Sequence, residues 1–342
     1  MSYRCCSMIQ NFTLTINGRI DNGTPVLSLC CEGLPNIPKI PFAGTAEASL
    51  RAFVGAGMLA AVECAQLTDD SRRHYTAGCV GCAHFRKGDW TVNPLIGYVN
   101  LSMYPAPCQC RCIYCDACQE YPKVLDKTAE AAYEKLFDML ELAERCGILS
   151  PGAKWQVSSG EITIHPYHDR IMELVRGKRA VFYTNCMKFD EAIAQNLHDN
   201  PSSAINLSID SGTAETWKAI KGVDNFDKIL ENLARYHAVS TRPGQITLKY
   251  ILLPGVNDVF EDYLSLMEII KTLEVQHLAL SRDVRTKYSM SREESIRLAG
   301  SAASLLALCR KQRISTDMFN FTQEEQTEAL RLAGEILEKG LI

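Results

Sequence analysis

Residues 104–122 read YPAPCQCRCIYCDACQEYP and place Cys108, Cys110, Cys112, Cys115 and Cys118 within eleven positions. A segment this dense in thiols asks for metal or redox chemistry. The whole chain holds fifteen cysteines in 342 residues. In a reducing compartment a disulfide framework is the weaker explanation for them. They also fall in two groups. Cys5, Cys6, Cys30, Cys31, Cys64, Cys79 and Cys82 precede the central cluster, and only Cys146, Cys186 and Cys309 follow it. Two groups of thiols suggest two sites.

Outward from that stretch the chain alternates short β-rich runs with helical patterns. Strands are expected at 96–104, 153–159, 179–185, 204–210, 246–253 and 275–282. Between the first two lies a helical segment, 127–147, in which Leu136, Leu140 and Ala143 recur on one face. Six strands each followed by a helix predict a parallel α/β sheet, either open or an incomplete barrel. Ligands of such sheets gather at the carboxyl ends of the strands, which is where the unusual residues fall. Beyond 290 the sequence predicts a helix at 291–311, an extended segment at 313–321 and a closing helix at 322–340, with Thr322 as N-cap and Glu325 three positions on. Residues 1 to about 90 differ in kind, with a hairpin pattern at 11–33 and a helical one at 45–67.

Composition narrows the function. Thirty-six basic against forty acidic side chains give a formal charge of -4 with no basic run, so a nucleic-acid partner is not expected. No uninterrupted apolar segment is long enough to span a bilayer, and the opening MSYRCCSMIQNF lacks a secretory pattern. A cytoplasmic protein without a membrane partner is expected. The chain has seven histidines and no H-E-x-x-H segment, which disfavours the commonest zinc hydrolase.

Within the central stretch, Cys108, Cys112 and Cys115 form C-x3-C-x2-C just beyond the first strand. Three thiolates on one tight loop can hold three irons of a [4Fe-4S] cube and leave the fourth open to an exogenous ligand. A zinc site drawing on the same thiols is the competing possibility. The motif, with Tyr114 directly before its last cysteine, resembles that of the radical S-adenosylmethionine enzymes. The resemblance covers roughly 95–285 and implies a partial (β/α)6 TIM barrel at 93–290. It further implies cleavage of S-adenosylmethionine to methionine and a 5'-deoxyadenosyl radical, with an external one-electron reductant such as flavodoxin or ferredoxin. Ser159, Gly160 and Glu161 resemble the family's Gly-Gly-Glu segment, with serine for the first glycine, and so imply a hold on the methionine amino group. Ser208 and Asp210 look like its ribose and carboxylate contacts and alternate on their strand, which would point them to one side. Asn257 is expected to shape the turn after the fifth strand. Cys110 and Cys118 stand outside the three-cysteine spacing.

The first group of thiols resembles an auxiliary-cluster module of the SPASM or twitch type, here at 1–92, ahead of the barrel where the family usually has it behind. The implied ligands of this second [4Fe-4S] cluster are Cys6, Cys31, Cys79 and Cys82, with Cys5 and Cys30 as near-equal substitutes; four thiolates on zinc would look the same in sequence. Residues 291–342 complete the division as a helical extension. Such a module implies a peptide or a small polar or sugar natural product as substrate, with hydrogen abstraction followed by oxidation or epimerisation. Cys186, directly after the third strand, is the candidate hydrogen-atom donor for epimerisation, against the plainer reading of a buried cysteine that fits its turn. A metal-binding scaffold without catalysis is the alternative of a different class.

Overall fold

The structure, a computed structural model, describes residues 2–5, 13–16, 26–29, 39–42, 44–66, 85–88, 95–102, 106–115, 127–158, 160–286 and 289–342. The chain forms two compact units, one of residues 1–107 with 121–181 and one of residues 108–120 with 182–342. The residues expected as one barrel domain, 93–290, are therefore shared between both units.

In the first unit, β1 (Ser2–Cys5) pairs antiparallel with β5 (Phe85–Gly88). The predicted hairpin is β2 (Thr13–Ile16) and β3 (Val26–Ser28), and β4 (Lys39–Pro41) extends it antiparallel. The hairpin is not a free-standing module. β2 runs parallel to β6 (Ile96–Ser102), which in turn runs parallel to β7 (Leu149–Ser158). β7 starts four residues earlier than the predicted 153, because a register shift between Ile96 and Tyr98 absorbs the Pro151-Gly152 pair within the strand. Helix α1 (Ala46–Ala65) follows the hairpin, and α2 (Lys127–Arg145) crosses from β6 to β7. Leu136, Leu140 and Ala143 are wholly buried, as the period of α2 predicts. A short α3 (His168–Val175) leads to β8 (Ala180–Tyr183).

The second unit continues the alternation: α4 (Glu191–Asp199), β9 (Ala204–Ser208), α5 (Ala214–Lys221), α6 (Phe226–Val239), β10 (Ile246–Leu252), α7 (Phe260–Thr272) and β11 (His277–Arg282). Strands β9, β10 and β11 pair in parallel, with Lys249 opposite both Ser208 and Ala279. Ile205, Leu207, Leu248, Leu278 and Leu280 are fully buried or nearly so and alternate with less buried neighbours on β9 and β10. That alternation gives these strands one fully buried face and one less buried face. The observed class is the α/β one expected, parallel strands joined by helices in the manner of an incomplete barrel.

The extension beyond 290 does more than add helices. α8 (Arg292–Lys311) leads into β12 (Ser315–Phe319), which joins β11 in parallel and so adds a further β/α step before α9 (Gln323–Glu338). Both helices open with capping boxes, Ser291 with Glu294 and Thr322 with Glu325. Glu325 has a second task, since it also pairs with the buried Arg282 at the end of β11. Thr322→Ala should therefore lower the unfolding free energy by about 1 kcal/mol through the lost cap. Glu325→Ala should cost more, because it also strands a buried guanidinium. Urea unfolding curves of the two variants check the order.

Candidate active site

The cysteine loop, 106–115, carries no regular secondary structure, so its shape is imposed by what it bonds to. Arg111 N donates to Lys221 O at 2.8 Å and Ile113 N to Ile220 O at 3.0 Å, which ties the loop to the last turn of α5. That turn ends in Gly222 at φ 68°, the left-handed helix cap. A Cβ on Gly222 would sit 3.1 Å from that of Arg111, so the residue serves both the cap and the close approach. From the loop after β11, Arg285 donates to Ile113 O at 2.8 Å while Asp283 holds its guanidinium. Asn185 Nδ2 donates to Gln109 Oε1 at 3.0 Å and lies 3.8 Å from Cys108 Sγ.

Held this way, Cys108, Cys112 and Cys115 are half-buried and Cys110 is buried. Cys115 N donates to Cys112 O, closing a turn between two of the predicted ligands. Among the described residues no three metal-ligating side chains form a ready-made metal site. The loop thiols are joined by hydrogen bonds instead. Bonds to Cys108 and Cys112 keep Cys110 protonated and push its thiol far up. Its proton in turn brings the Cys112 thiol down to about 7, helped by the Lys221 charge. Cys110 Sγ also lies 3.5 Å from Met187 Sδ. Three half-buried cysteines on one loop, one already inclined to the thiolate and a cation beside it, suit an iron-sulfur cube with one open iron.

Beneath the loop lies a buried polar cluster. Lys221 Nζ pairs with the Asp210 carboxylate, with the two side chains 4% and 0% exposed. Tyr114 donates to Asp210 Oδ2 at 2.6 Å and accepts from Lys221 at 2.5 Å. Asp210 Oδ1 accepts from Ile251 N at 2.6 Å. Burial works against the Lys221 charge, but Asp210 and Cys112 outweigh it and its pKa is raised. Burial and the Asp210 charge push the Tyr114 phenol far up, so it stays a donor. Asn257 donates to Asp210 O at 2.9 Å and Ile251 O at 2.8 Å and accepts from Leu253 N, which makes it the shaping residue expected after the fifth strand.

This cluster corrects the pairing of Ser208 with Asp210. β9 ends at Ser208, and Asp210 has φ 54°, so the strand alternation does not reach it. Its carboxylate turns inward to Lys221, Tyr114 and Ile251, and Tyr114 with it; neither stands as a free polar tip. Ser208 is half-buried, in register with Lys249. Lys249 is a second cation of this face, and burial lowers its pKa.

In the first unit, Glu161 N donates to Pro107 O at 2.8 Å, beside the start of the cysteine loop. Gly160, at φ 38°, permits this, since a Cβ there would lie 2.5 Å from Pro107 O and 2.7 Å from Ala106 O. Glu161 is fully buried and not a solvated loop carboxylate. Its Oε1 caps the turn Ile162–Ile164, accepting from Thr163 N and Oγ1 at 3.0 and 2.8 Å. His165 accepts from Tyr167 N, and burial lowers its pKa to about 4, so it is a neutral packing residue. Ser159 lies outside the described residues.

Cys186 is fully buried, at φ 56°, with its N bonded to Thr184 Oγ1 and its O to Asn232 Nδ2. This is the geometry of a turn residue. Cys309 is buried in α8, and its thiol is pushed up to about 12 by burial. Cys6, Cys30, Cys31, Cys79, Cys82 and Cys118 lie outside the described residues, and Cys5 is described only as the end of β1. Lys221, Asn185 and Arg285 were not legible as site residues. A lysine before a helix-ending glycine reads as an ordinary cation of the last turn, and nothing local says that it points inward.

Residues 107–267 match the model of the radical SAM superfamily. A GTP 3',8-cyclase of Geobacter sulfurreducens is 28% identical over 167 residues, 48% of either chain. One of Listeria monocytogenes serotype 4b is 28% identical over 168 residues, 47% of either chain. The chain thus spans about half the length of the curated relatives it matches. Among solved structures, Streptococcus suis SuiB bound to its precursor peptide SuiA aligns with 89% of this chain and 72% of its own, at 11% identity and a TM-score of 0.48. Methylornithine synthase (PylB) aligns over 69% of each chain at 12% identity and a TM-score of 0.44. No helix among the described residues is long and apolar enough to cross a membrane. The three-cysteine loop and the strand ends around it fall within residues 107–267, the stretch that is similar to the radical SAM superfamily.

Proposed function

We propose that this protein cleaves S-adenosylmethionine reductively and uses the product to abstract hydrogen from an unactivated C–H bond of a peptide or small polar natural product, which is then oxidised. The observation that carries the reading is the C-x3-C-x2-C loop, held by α5 and by Arg285, with its three motif cysteines half-buried. Cys108, Cys112 and Cys115 would hold a [4Fe-4S] cluster that, with an external one-electron donor, supplies the electron for cleavage to methionine and a 5'-deoxyadenosyl radical. Gly160 and Glu161, whose segment closes on Pro107, would serve the methionine ammonium, with Ser159 beside them in sequence. Ser208 serves the nucleoside. Tyr114 and Asp210 act from beneath by shaping the loop.

An auxiliary [4Fe-4S] cluster at the amino-terminal cysteines is part of the same reading. Its support is the pairing of β1 with β5, in which Cys5 lies opposite Phe85, three residues beyond Cys82. Cys6, Cys79, Cys82 and Cys31 are the four ligands of the proposal, with Cys5 as a substitute for Cys6. Such a cluster would accept the electron that oxidation of a substrate radical releases. Oxidation is preferred to epimerisation because the Cys186 thiol is wholly buried in its turn. The likeness to GTP 3',8-cyclases extends over about half of either chain, and a nucleotide substrate is not carried across on it.

Changing Cys108, Cys112 and Cys115 together to Ala should abolish 5'-deoxyadenosine formation by the anaerobically reconstituted protein and remove about four irons per chain. Continued formation by the triple variant would refute the assignment. The same variant should keep a cubane Mössbauer signature from the amino-terminal cysteines; bound zinc in its place would reject the auxiliary cluster.

Cys186→Ala should leave S-adenosylmethionine cleavage and the mass of the product unchanged. A product two hydrogens lighter than its substrate is the expected outcome. Solvent deuterium at an inverted carbon, lost in the Cys186 variant, would establish epimerisation instead.

A further inference from the structure

A half-buried loop of cysteines would carry a net negative charge once its thiols are metallated, and that charge must be balanced from within the protein. The described residues that touch the loop supply one buried cation for this. Lys221 is 3% exposed and is held by Asp210 and Tyr114. The same residue's carbonyl accepts from Arg111 N, and the preceding carbonyl, that of Ile220, accepts from Ile113 N. Backbone and side chain of one lysine thus grip the loop from two directions. Arg285, by contrast, binds Ile113 O from a partly exposed position and is already paired with Asp283.

Burial gives the Lys221 charge unusual reach. A surface lysine would be screened by water within a few ångströms, whereas one under the loop acts through protein. Its neighbour Asp210 offsets it in part, so the two residues form a dipole whose separate ends can be removed. The effect of each end has a definite sign. A cation near a cluster stabilises the reduced, more negative state and raises the reduction potential; a carboxylate lowers it.

We propose that Lys221 and Asp210 are positioning residues that together set the reduction potential of the cluster held by the loop, Lys221 raising it and Asp210 lowering it, while Tyr114 links both to the loop. The proposal rests on the reading of Cys108, Cys112 and Cys115 as cluster ligands.

The test is an EPR-monitored redox titration of anaerobically reconstituted full-length protein, following the signal that changes on adding S-adenosylmethionine. Iron and sulfide are measured in parallel. Lys221→Met should move the midpoint to a more negative value and Asp210→Asn to a more positive one, with iron content held. The double variant should return close to wild type, and Lys221→Arg should restore the midpoint. Should Lys221→Met fail to fold, the Asp210→Asn and double variants still carry the opposite-sign comparison. Midpoints that stay at the wild-type value in variants holding wild-type iron, or that move in the same direction in both single variants, would overturn the proposal. Wild-type protein that binds no cube would overturn the cluster assignment itself, and the iron measurement separates the two outcomes.

Discussion

A loop without secondary structure keeps one shape only if its backbone groups find fixed partners elsewhere, and the cysteine loop finds them chiefly at one place. The last turn of α5 offers the carbonyls of Ile220 and Lys221 to the amides of Ile113 and Arg111. These carbonyls belong to the set that a helix end leaves unpaired, so docking the loop there satisfies both partners. Gly222 then turns the chain away in the one conformation that allows so close an approach. The ion pair of Lys221 with Asp210 lies under the same contact. Because both side chains are nearly inaccessible, loss of either would leave a buried charge unpaired, at a cost of about 3–5 kcal/mol. The loop, the helix end and the carboxyl ends of β9 and β10 are thus one cooperative piece of structure.

Asp210 joins these parts. It follows β9 in a left-handed conformation, sends its carboxylate to Lys221, Tyr114 and Ile251 N, and offers its carbonyl to Asn257. Asn257 then fixes Leu253 N in the turn after β10. A chain of hydrogen bonds therefore runs from the cysteine loop through two strand ends. Asp210, Lys221 and Asn257 are buried and each is hydrogen-bonded, which is the condition under which a polar network rigidifies a site instead of weakening it. Within the first unit a separate device operates. Gly160 lets the Glu161 backbone close on Pro107, and the carboxylate caps its own short turn.

The amino-acid order alone was enough for the α/β alternation, the apolar face of α2, the Thr322 capping box and the three-cysteine motif. Each of these is local: a period of two or 3.6 residues, an i to i+3 cap, or a spacing within one loop. Strand ends were less legible. β9 stops at Ser208, two residues short of the expected 210, because a positive φ at Asp210 breaks an alternation that the sequence continues on paper. β7 starts early because a register shift accommodates Pro151 and Gly152, and that depends on the partner strand. The parallel pairing of β2 with β6, and of β12 with β11, likewise joins segments distant in sequence whose own patterns look complete without it.

What the sequence determined by itself was chemistry tied to spacing: three thiols on one loop, in an α/β chain, with a Gly-Glu segment at the next strand end. What only the tertiary structure decided was the direction of the polar side chains. Asp210 and Tyr114 carry the same residue types whether they face a ligand or a lysine, and Lys221 reads as an exposed helix-end cation until α5 is laid against the loop. The burial and left-handed backbone of Cys186 likewise come only from the tertiary structure. The reason is physical. Burial and ion pairing are set by which distant segments pack together, and a residue's own neighbours in sequence hold no record of that.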